Sequence, residues 1–326
     1  MNALSVGTGT LLLSLALAPP EHPLTLEVDG LRIPAVLTLP ASGEPTSAVL
    51  LVPGSLFSNA DGDYPTWNIR PHVYADLARQ LAARGHAVLR YAKSGPGTGT
   101  ETADPEKALA HLRFNERVVV AKAALALLRE SLGEKARGVR SWTVAGHSEG
   151  AVVTFLLAAQ EPAITRVVSL SGPSVGLLDI MRDQTQAMGG SDLSAFDEAA
   201  AHIRRSEPLG PEAARNPQTA MLASMDPRNL GYIREVDAVD PAKALAAVDQ
   251  PVLIVQGGRD DSVPEKHAYR LKEARGTKAT ELALFPELQH FYKVAEPGMD
   301  PQASFALSTE SDPRVVEAID RWIRGR

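Results

Sequence analysis

The feature that most constrains the fold is a serine between two glycines, at the junction of an apolar run and a helix-forming run. Residues 142–155, "WTVAGHSEGAVVTF", contain Gly146-His147-Ser148-Glu149-Gly150, which matches G-x-S-x-G. A serine on so sharp a strand-to-helix turn has a strained backbone, and flanking glycines remove side chains that would clash. The turn would lift the Ser148 hydroxyl above the sheet edge. The pattern therefore predicts a nucleophilic serine.

Short apolar runs alternate with helical patterns along most of the chain. The runs begin at Ala48, His86, Ser141, Ile164 and Pro251. Helical patterns at 72–85 and 111–133 each end at a glycine. This alternation predicts an α/β fold with a mostly parallel central sheet, helices on both faces, and a ligand crevice at the carboxyl ends of the strands. Before it, residues 24–40 alternate around Asp29-Gly30, which predicts an antiparallel hairpin with a type I′ turn.

The alternation lapses between residues 173 and 240. This segment has helical patterns but no apolar run long enough for a central strand. We expect it to be a helical lid inserted into a core formed by residues 24–172 and 241–326, and the alternative is a surface excursion that never covers the site. Residues 1–23 are expected to form an N-terminal arm or a weak signal-like segment.

Composition excludes several classes of protein. The net charge of −6 among 326 residues has no block of one sign, which argues against a nucleic-acid partner. The absence of cysteine excludes disulfides and thiolate chemistry. Residues 11–18 are apolar, yet neither Lys nor Arg precedes Arg32, so we expect a cytoplasmic protein, with secretion or export to the periplasm as the alternative. No run approaches the ~20 apolar residues of a membrane span, and the oligomeric state stays open.

A serine nucleophile needs a base, and the base needs an acid to orient it. On this architecture the order along the chain is serine, then acid, then histidine. Asp260 follows the run at 251–257 and is the predicted acid, with Asp261 as its rival. His290, in the loop after the next short strand, is the predicted base. No metal or organic cofactor is required by this chemistry.

Two backbone N–H groups are expected to stabilise the developing oxyanion. One belongs to Glu149, at the start of the helix after the serine. The other belongs to the loop "LVPGSLFSNADGDYP" after the first parallel strand, where Ser55 is the first candidate and Leu56 the next. Leu56 and His147 are predicted to contact substrate. The side chain of Glu149 is expected to cap the helix or to meet a nearby cation, and the alternative is that it shapes the pocket.

With these residues in place, the chain resembles the α/β-hydrolase superfamily, in particular a bacterial subgroup of serine carboxylesterases with a GHSEG elbow. The similarity rests on "PGSLFSNADGDY", "LRYAKSGPG", "GHSEG", "VDPAKALAAVDQPVLIVQGGRDDSVP" and "LQHFY". Departures from that subgroup are Ala92 in place of an aspartate, and residues 56–58 in place of a glycine-proline pair.

The resemblance implies a triad of Ser148, Asp260 and His290 and a reaction through an acyl-enzyme. The expected substrate is a small-molecule carboxylic ester. An acyl-CoA thioesterase or a peptidase acting on short peptides would use the same machinery, and both remain alternatives. A non-catalytic binding protein on the same fold is the alternative from another class.

Overall fold

The computed structural model describes residues 18–104, 106, 113–190 and 192–325, and most of the predicted N-terminal arm lies outside these ranges. Within them, nine strands form one sheet in the order β1-β2-β4-β3-β6-β7-β8-β9, with β5 paired to β2. The strands are β1 (Glu21–Val28), β2 (Leu31–Thr38), β3 (Ser47–Val52), β4 (His86–Tyr91), β5 (Glu101–Thr102), β6 (Ser141–His147), β7 (Arg166–Leu170), β8 (Val252–Gly257) and β9 (Thr280–Phe285).

The N-terminal hairpin confirms the predicted turn. Asp29 and Gly30 both have positive φ, 48° and 84°, as a type I′ turn requires. The first strand begins three residues earlier than the predicted start at residue 24, because its pairing with β2 continues out to Glu21 opposite Thr38. Pro23 is tolerated there because β1 is an edge strand, and a proline without an N–H group is accepted on the unpaired side of such a strand.

The parallel part of the sheet determines where a ligand can sit. Strand β3 pairs in parallel with β4 on one side and with β6 on the other. The strand order therefore reverses at β3, and loops leaving the carboxyl ends of β3 and β6 diverge around a crevice. Strands β3, β4 and β8 are buried along their whole length, which explains why they read as continuous apolar runs rather than as alternation.

Helices cover both faces of the sheet, as predicted. They are α1 (Val73–Ala82), α2 (Phe114–Leu132), α3 (Glu149–Ala158), α4 (Leu177–Ala187), α5 (Ser194–Arg204), α6 (Ala220–Ala223), α7 (Pro227–Asp237), α8 (Pro241–Ala246), α9 (Lys266–Ala274), α10 (Pro301–Phe305) and α11 (Pro313–Ile323). One apolar core joins α2 and α3 to the sheet, and a second joins α1 and α11 to its other face. No helix in the described ranges has the length and apolarity to cross a bilayer.

Helices α4 to α7 occupy the segment between β7 and β8, where the strand pattern lapses. They share a small apolar core of their own, formed by Leu178, Phe196, Ala200, Ile203, Leu222 and Ile233. Arg204 of α5 pairs with Asp237 at the end of α7, at 2.7 Å, and with Asp179 of α4, at 2.8 Å. These contacts hold the helices together as one layer beside the carboxyl ends of the strands.

Candidate active site

The serine of the G-x-S-x-G motif lies on a strained turn between β6 and α3. Ser148 has φ 56° and ψ −127°, a combination that L-residues rarely adopt. Its glycine neighbours are required by space. A Cβ on Gly150 would lie 2.5 Å from the carbonyl oxygens of Val52 and Pro53, and one on Gly146 would overlap the Gly150 carbonyl. Tight packing against the end of the neighbouring strand β3 therefore holds Ser148 in its unfavourable backbone conformation.

The loop after β3 approaches this turn closely. A Cβ on Gly54 would lie 3.1 Å from the Cβ of Ser148, so any larger residue would force the loop or the elbow to shift. Ser55 and Leu56 follow it and line the same cavity as Ser148. Among the described residues, no protein group accepts a hydrogen bond from the backbone N–H of Ser55, Leu56 or Glu149. These donors are available to an anion beside the serine. Both residues predicted in the β3 loop, Ser55 and Leu56, therefore remain candidates for the second oxyanion donor.

Asp260 and His290 form a buried pair at the carboxyl end of the sheet. The Nδ1 atom of His290 lies 2.9 Å from each carboxylate oxygen of Asp260. The backbone N–H groups of Ser262 and Val263 also donate to this carboxylate, at 3.0 and 2.8 Å. Burial opposes ionisation of Asp260, but His290 and these donors lower its pKa below the usual range. The carboxylate therefore holds Nδ1–H and leaves Nε2 of His290 free to accept a proton.

The rival acid is placed differently. Asp261 is exposed and lines the cavity, and partial desolvation together with the negative charge of Asp260 raises its pKa. Within the described residues it makes no hydrogen bond or ion pair to a histidine. The geometry therefore supports Asp260 over Asp261 as the partner of His290.

His147 links three parts of the site through its ring. Its Nε2 donates to the backbone carbonyl of His290, at 3.0 Å. Its Nδ1 therefore accepts from the hydroxyl of Tyr74, at 3.2 Å, and that hydroxyl accepts from the N–H of Gly54, at 2.8 Å. Burial, with the nearby His290, lowers the pKa of His147 to about 3, so its ring stays neutral. It lines the cavity too, and its predicted contact with substrate stays a prediction.

Glu149 is the centre of a buried charged cluster, which we define as Ser55, Lys93, Arg117, Glu149 and Tyr232. The Oε1 atom of Glu149 accepts from Tyr232 at 2.5 Å, from Lys93 at 3.4 Å and from Arg117. Its Oε2 atom accepts from the Ser55 hydroxyl at 3.1 Å. Burial opposes ionisation, but Lys93 and Arg117 lower the pKa of Glu149 to about 2. The side chain both meets cations and shapes the pocket.

A cavity of about 920 Å³ opens above Ser148 and His290. Its wall is largely apolar. One part comes from the inserted helices, with Leu177, Ile180, Met181, Met188, Met221, Met225 and Ile233. Another comes from residues outside that segment, Phe57, Tyr64, Trp67 and Phe305. Such a site suits an organic molecule with an apolar portion. Within the described residues, no three His, Asp or Glu side chains are grouped so as to hold a metal ion.

The sequence interpretation missed the supporting residues Tyr74, Arg117 and Tyr232. A signal existed for Arg117, which lies three residues after Phe114 on the buried stripe of α2, where a charge is unexpected. Tyr74 and Tyr232 lie within ordinary helical patterns. Their hydroxyls become important only because the fold brings distant segments against the elbow.

Comparison with known proteins agrees with this geometry. The family model described as serine aminopeptidase, S33, matches residues 71–293. The chain belongs to this family. The match runs from the start of α1 to the histidine loop and so includes Ser148, Asp260 and His290. The family, the sheet order and the elbow together confirm the predicted α/β-hydrolase fold.

Several relatives of this S33-family chain are esterases by name. Esterase EstD of Thermotoga maritima is 29% identical over 301 residues, which cover 91% of this chain and 66% of that protein. The Pyrococcus furiosus esterase Pf2001 matches in structure with a TM-score of 0.58 and 14% identity, over 94% of this chain and 92% of that one. Est1E of Butyrivibrio proteoclasticus matches with a TM-score of 0.53 and 17% identity, over 93% of this chain and 96% of that one. The two structural matches support the fold.

Proposed function

We propose that the protein is a serine hydrolase that cleaves carboxylic esters through an acyl-enzyme. One observation carries this proposal. The strained Ser148 and the Asp260-oriented His290 line one large apolar cavity at the carboxyl edge of the sheet. The similarity to an esterase of Thermotoga maritima supports the same reaction.

The mechanism follows from the role of each group. The Oγ atom of Ser148 attacks the ester carbonyl carbon while Nε2 of His290 takes the hydroxyl proton. Asp260 stabilises the imidazolium, and the N–H groups of Glu149 and Ser55 bind the oxyanion. The tetrahedral intermediate collapses, and His290 returns the proton to the leaving alcohol. Water then attacks the acyl-enzyme by the same steps, which release the acid and restore Ser148.

Electrostatics around Glu149, next to the nucleophile, favour an ester over the amino terminus of a peptide. An aminopeptidase has to bind a substrate α-ammonium group close to the scissile carbonyl, and a carboxylate is the natural partner for it. The carboxylate next to the nucleophile is Glu149, which Lys93 and Arg117 already neutralise. The α-ammonium group of a peptide bound at Glu149 would be repelled by Lys93 and Arg117.

The acyl-CoA thioesterase alternative lacks support at the cavity mouth. The phosphates of CoA need free basic side chains. Three arginines on the inserted helices are already paired with carboxylates: Arg182 with Asp197, Arg204 with Asp179 and Asp237, and Arg205 with Glu207. The geometry therefore favours a simple ester.

The inserted helices of residues 173–240 act in this proposal as a lid that selects the substrate. Four methionines, Met181, Met188, Met221 and Met225, lie on their contribution to the cavity wall. Methionine is unbranched and adapts to the shape of its neighbour. We expect the lid to accept several chain lengths rather than one shape.

A graded series of p-nitrophenyl esters, from acetate to octanoate, tests the proposal. We expect hydrolysis by the parent protein with a burst of p-nitrophenol if deacylation is slow. A fluorophosphonate probe should label Ser148, located by peptide mass spectrometry. Parent-rate hydrolysis by a Ser148→Ala variant would refute the assignment, and an unlabelled Ser148 would favour a non-catalytic binding protein.

A further inference from the structure

We propose that the preferred ester carries a carboxylate, which Lys93 binds at the end of the cavity next to Glu149. This inference rests on the proposed function and adds the class of substrate. It comes from the charged cluster, whose makeup the hydrolytic mechanism does not require. The mechanism uses the backbone of Glu149 and Ser55, whereas the cluster consists of their side chains and three others.

The cluster holds more positive than negative charge. Lys93 and Arg117 both donate to Oε1 of Glu149, and the Tyr232 hydroxyl donates to the same oxygen. One carboxylate therefore faces two cations. Arg117 alone would neutralise Glu149, and it is anchored further by the carbonyl of Pro53. Lys93 is therefore the surplus cation. A buried charge without a counter-ion costs free energy, and a bound anion would offset that cost.

Lys93 is positioned to receive such a ligand. It is 8% exposed, and it lines the cavity together with Arg117. Its ammonium group has three donors, and the described residues accept two, at Glu149 and at the Tyr232 hydroxyl. The rings of Tyr232 and Phe57 lie 4.8 and 5.9 Å from Nζ and shield it from bulk solvent. One donor remains for a group in the cavity.

The charge state of Lys93 agrees with this arrangement. Burial, reinforced by Arg117, lowers the pKa of Lys93 to about 7. A bound carboxylate would raise that pKa and keep Lys93 protonated. A lysine whose charge is destabilised in the free protein and restored by an anion is a typical feature of a binding site.

The other acidic group on the cavity wall does not oppose the proposal. Asp261 follows β8, which lies four strand positions from β4, the strand before Lys93. At ~4.8 Å per strand the strand ends that lead to Asp261 and Lys93 are ~19 Å apart. Ser148 follows β6, two positions from β4, so the strand ends that lead to the nucleophile and the cation are ~10 Å apart. A chain of about six to eight carbon atoms spans such a distance.

Matched pairs of esters test the proposal. Mono-p-nitrophenyl adipate and suberate are compared with p-nitrophenyl hexanoate and octanoate, which places the carboxylate on the acyl side. 4-Carboxyphenyl hexanoate is compared with 4-carbamoylphenyl hexanoate, which places it on the leaving alcohol. We expect the parent protein to show the higher kcat/KM for the carboxylate member in one of the two arms, and that arm identifies the side of the ester that Lys93 binds.

A Lys93→Met variant should lower the charged-to-neutral ratio of kcat/KM roughly 10- to 100-fold in that arm. Lys122→Met is the matched control, because Lys122 is exposed on α2 and pairs with Glu161 outside the cavity. Its ratio should equal the parent's. A folded Lys93→Met variant with an unchanged ratio, or a parent protein that prefers the neutral ester in both arms, overturns the inference.

The parent protein supplies a second measurement that does not depend on the variant's folding. The charged-to-neutral ratio should fall as the pH rises from 6 to 9, because Lys93 loses its proton while Glu149 stays ionised, Arg117 stays protonated and the burial-raised pKa of Tyr232 keeps that phenol neutral. A flat ratio contradicts the inference. Hydrolysis of neutral esters without a carboxylate preference refutes the inference alone, whereas no hydrolysis of any ester refutes the proposed function as well.

Discussion

Two of the serine–histidine–aspartate groups in the described part of the protein lie at opposite edges of one sheet. The upper group, Ser148, His290 and Asp260, lies at the carboxyl ends of the strands. The lower group is Ser47, His86 and Asp320. Ser47 and His86 begin the neighbouring strands β3 and β4, at their amino ends, and Asp320 lies on α11. The Ser47 hydroxyl lies 2.5 Å from Nδ1 of His86, and Nε2 of His86 lies 2.8 Å from Asp320.

The two groups differ in surroundings rather than in composition. Ser47 sits in extended strand backbone and His86 has no exposed surface, and neither lines the cavity above the elbow. Ser148 has a strained backbone, nearby backbone N–H groups that make no hydrogen bond within the described part of the chain, and a large apolar cavity above it. The proposed mechanism therefore depends on the surroundings of Ser148 as well as on the presence of a serine, a histidine and an aspartate. We infer that the lower group holds α11 to the sheet.

Removal of each serine hydroxyl gives the largest expected contrast. Ser148→Ala should lower kcat on p-nitrophenyl butyrate roughly 10⁴- to 10⁶-fold, because the variant lacks the hydroxyl that forms the acyl-enzyme in the proposed mechanism. Ser47→Ala should leave kcat within about twofold and lower the free energy of unfolding by ~1 kcal/mol, the value of a lost hydrogen bond. Steady-state kinetics and urea unfolding measure both. Comparable losses of turnover in the two variants would remove the functional distinction between the groups.

Replacement of each acid sharpens the distinction. Asp260→Asn should lower kcat by about 10³- to 10⁴-fold, because the amide no longer fixes Nδ1–H on His290 and Nε2 is no longer the accepting nitrogen. Asp320→Asn, the matched change in the lower group, should affect thermal unfolding and leave kcat near the parent value. A fully active Asp260→Asn variant would transfer the role of acid to another carboxylate, and Asp261→Asn then identifies it.

The backbone of the elbow is the feature that the lower group lacks, and Gly150→Ala tests its importance. Helix propensity alone predicts that alanine stabilises α3 by ~1 kcal/mol. The new Cβ would lie 2.5 Å from two carbonyl oxygens, of Val52 and Pro53, so we expect a net loss of about 2–3 kcal/mol and a displaced Ser148. Gly138→Ala is the control, since its Cβ would meet nothing closer than 3.9 Å. Equal unfolding midpoints for the two variants would contradict the close approach.

The smallest expected effect is the pH dependence that the lower histidine gives to stability. Burial lowers the pKa of His86 in the folded protein despite Asp320, so its contribution is present above the unfolded pKa of about 6.5 and declines as the pH falls below that value. His86→Gln should cost about 1–2 kcal/mol at pH 7.5 through lost hydrogen bonds. Its deficit relative to the parent should shrink between pH 6.5 and 5. Thermal unfolding across this range measures it, and a constant deficit would show that His86 keeps one charge state.

Much of the fold could be predicted because the local pattern and the tertiary structure agree. Strands β3, β4, β6, β7 and β8 and helices α1, α2 and α3 lie where apolar runs and periodicity indicate them. The strand β5 was missed because two residues have no periodicity. The helix α10 was missed for the same reason, since its five residues make little more than one turn.

The candidate site could be predicted only where a motif or the chain order carried it. Ser148 lies in a five-residue pattern, and Asp260 and His290 follow in the order that the architecture imposes. Lys93 lies in no such motif, and its partner Glu149 lies 56 residues away along the chain. A separation of this length lies beyond any helical or strand periodicity, so the sequence pattern does not indicate that the two side chains meet.

The sequence by itself determined the elbow, the α/β order and the identity of the three candidate catalytic residues, because each depends on short-range sterics or on chain order. The tertiary structure alone decided which serine has a cavity above it. It also decided the neutral state of His147 and the surplus charge at Lys93, because burial and charge proximity depend on segments that meet only after folding. The lower group shows the same division, since Ser47, His86 and Asp320 lie 39 and 234 residues apart along the chain.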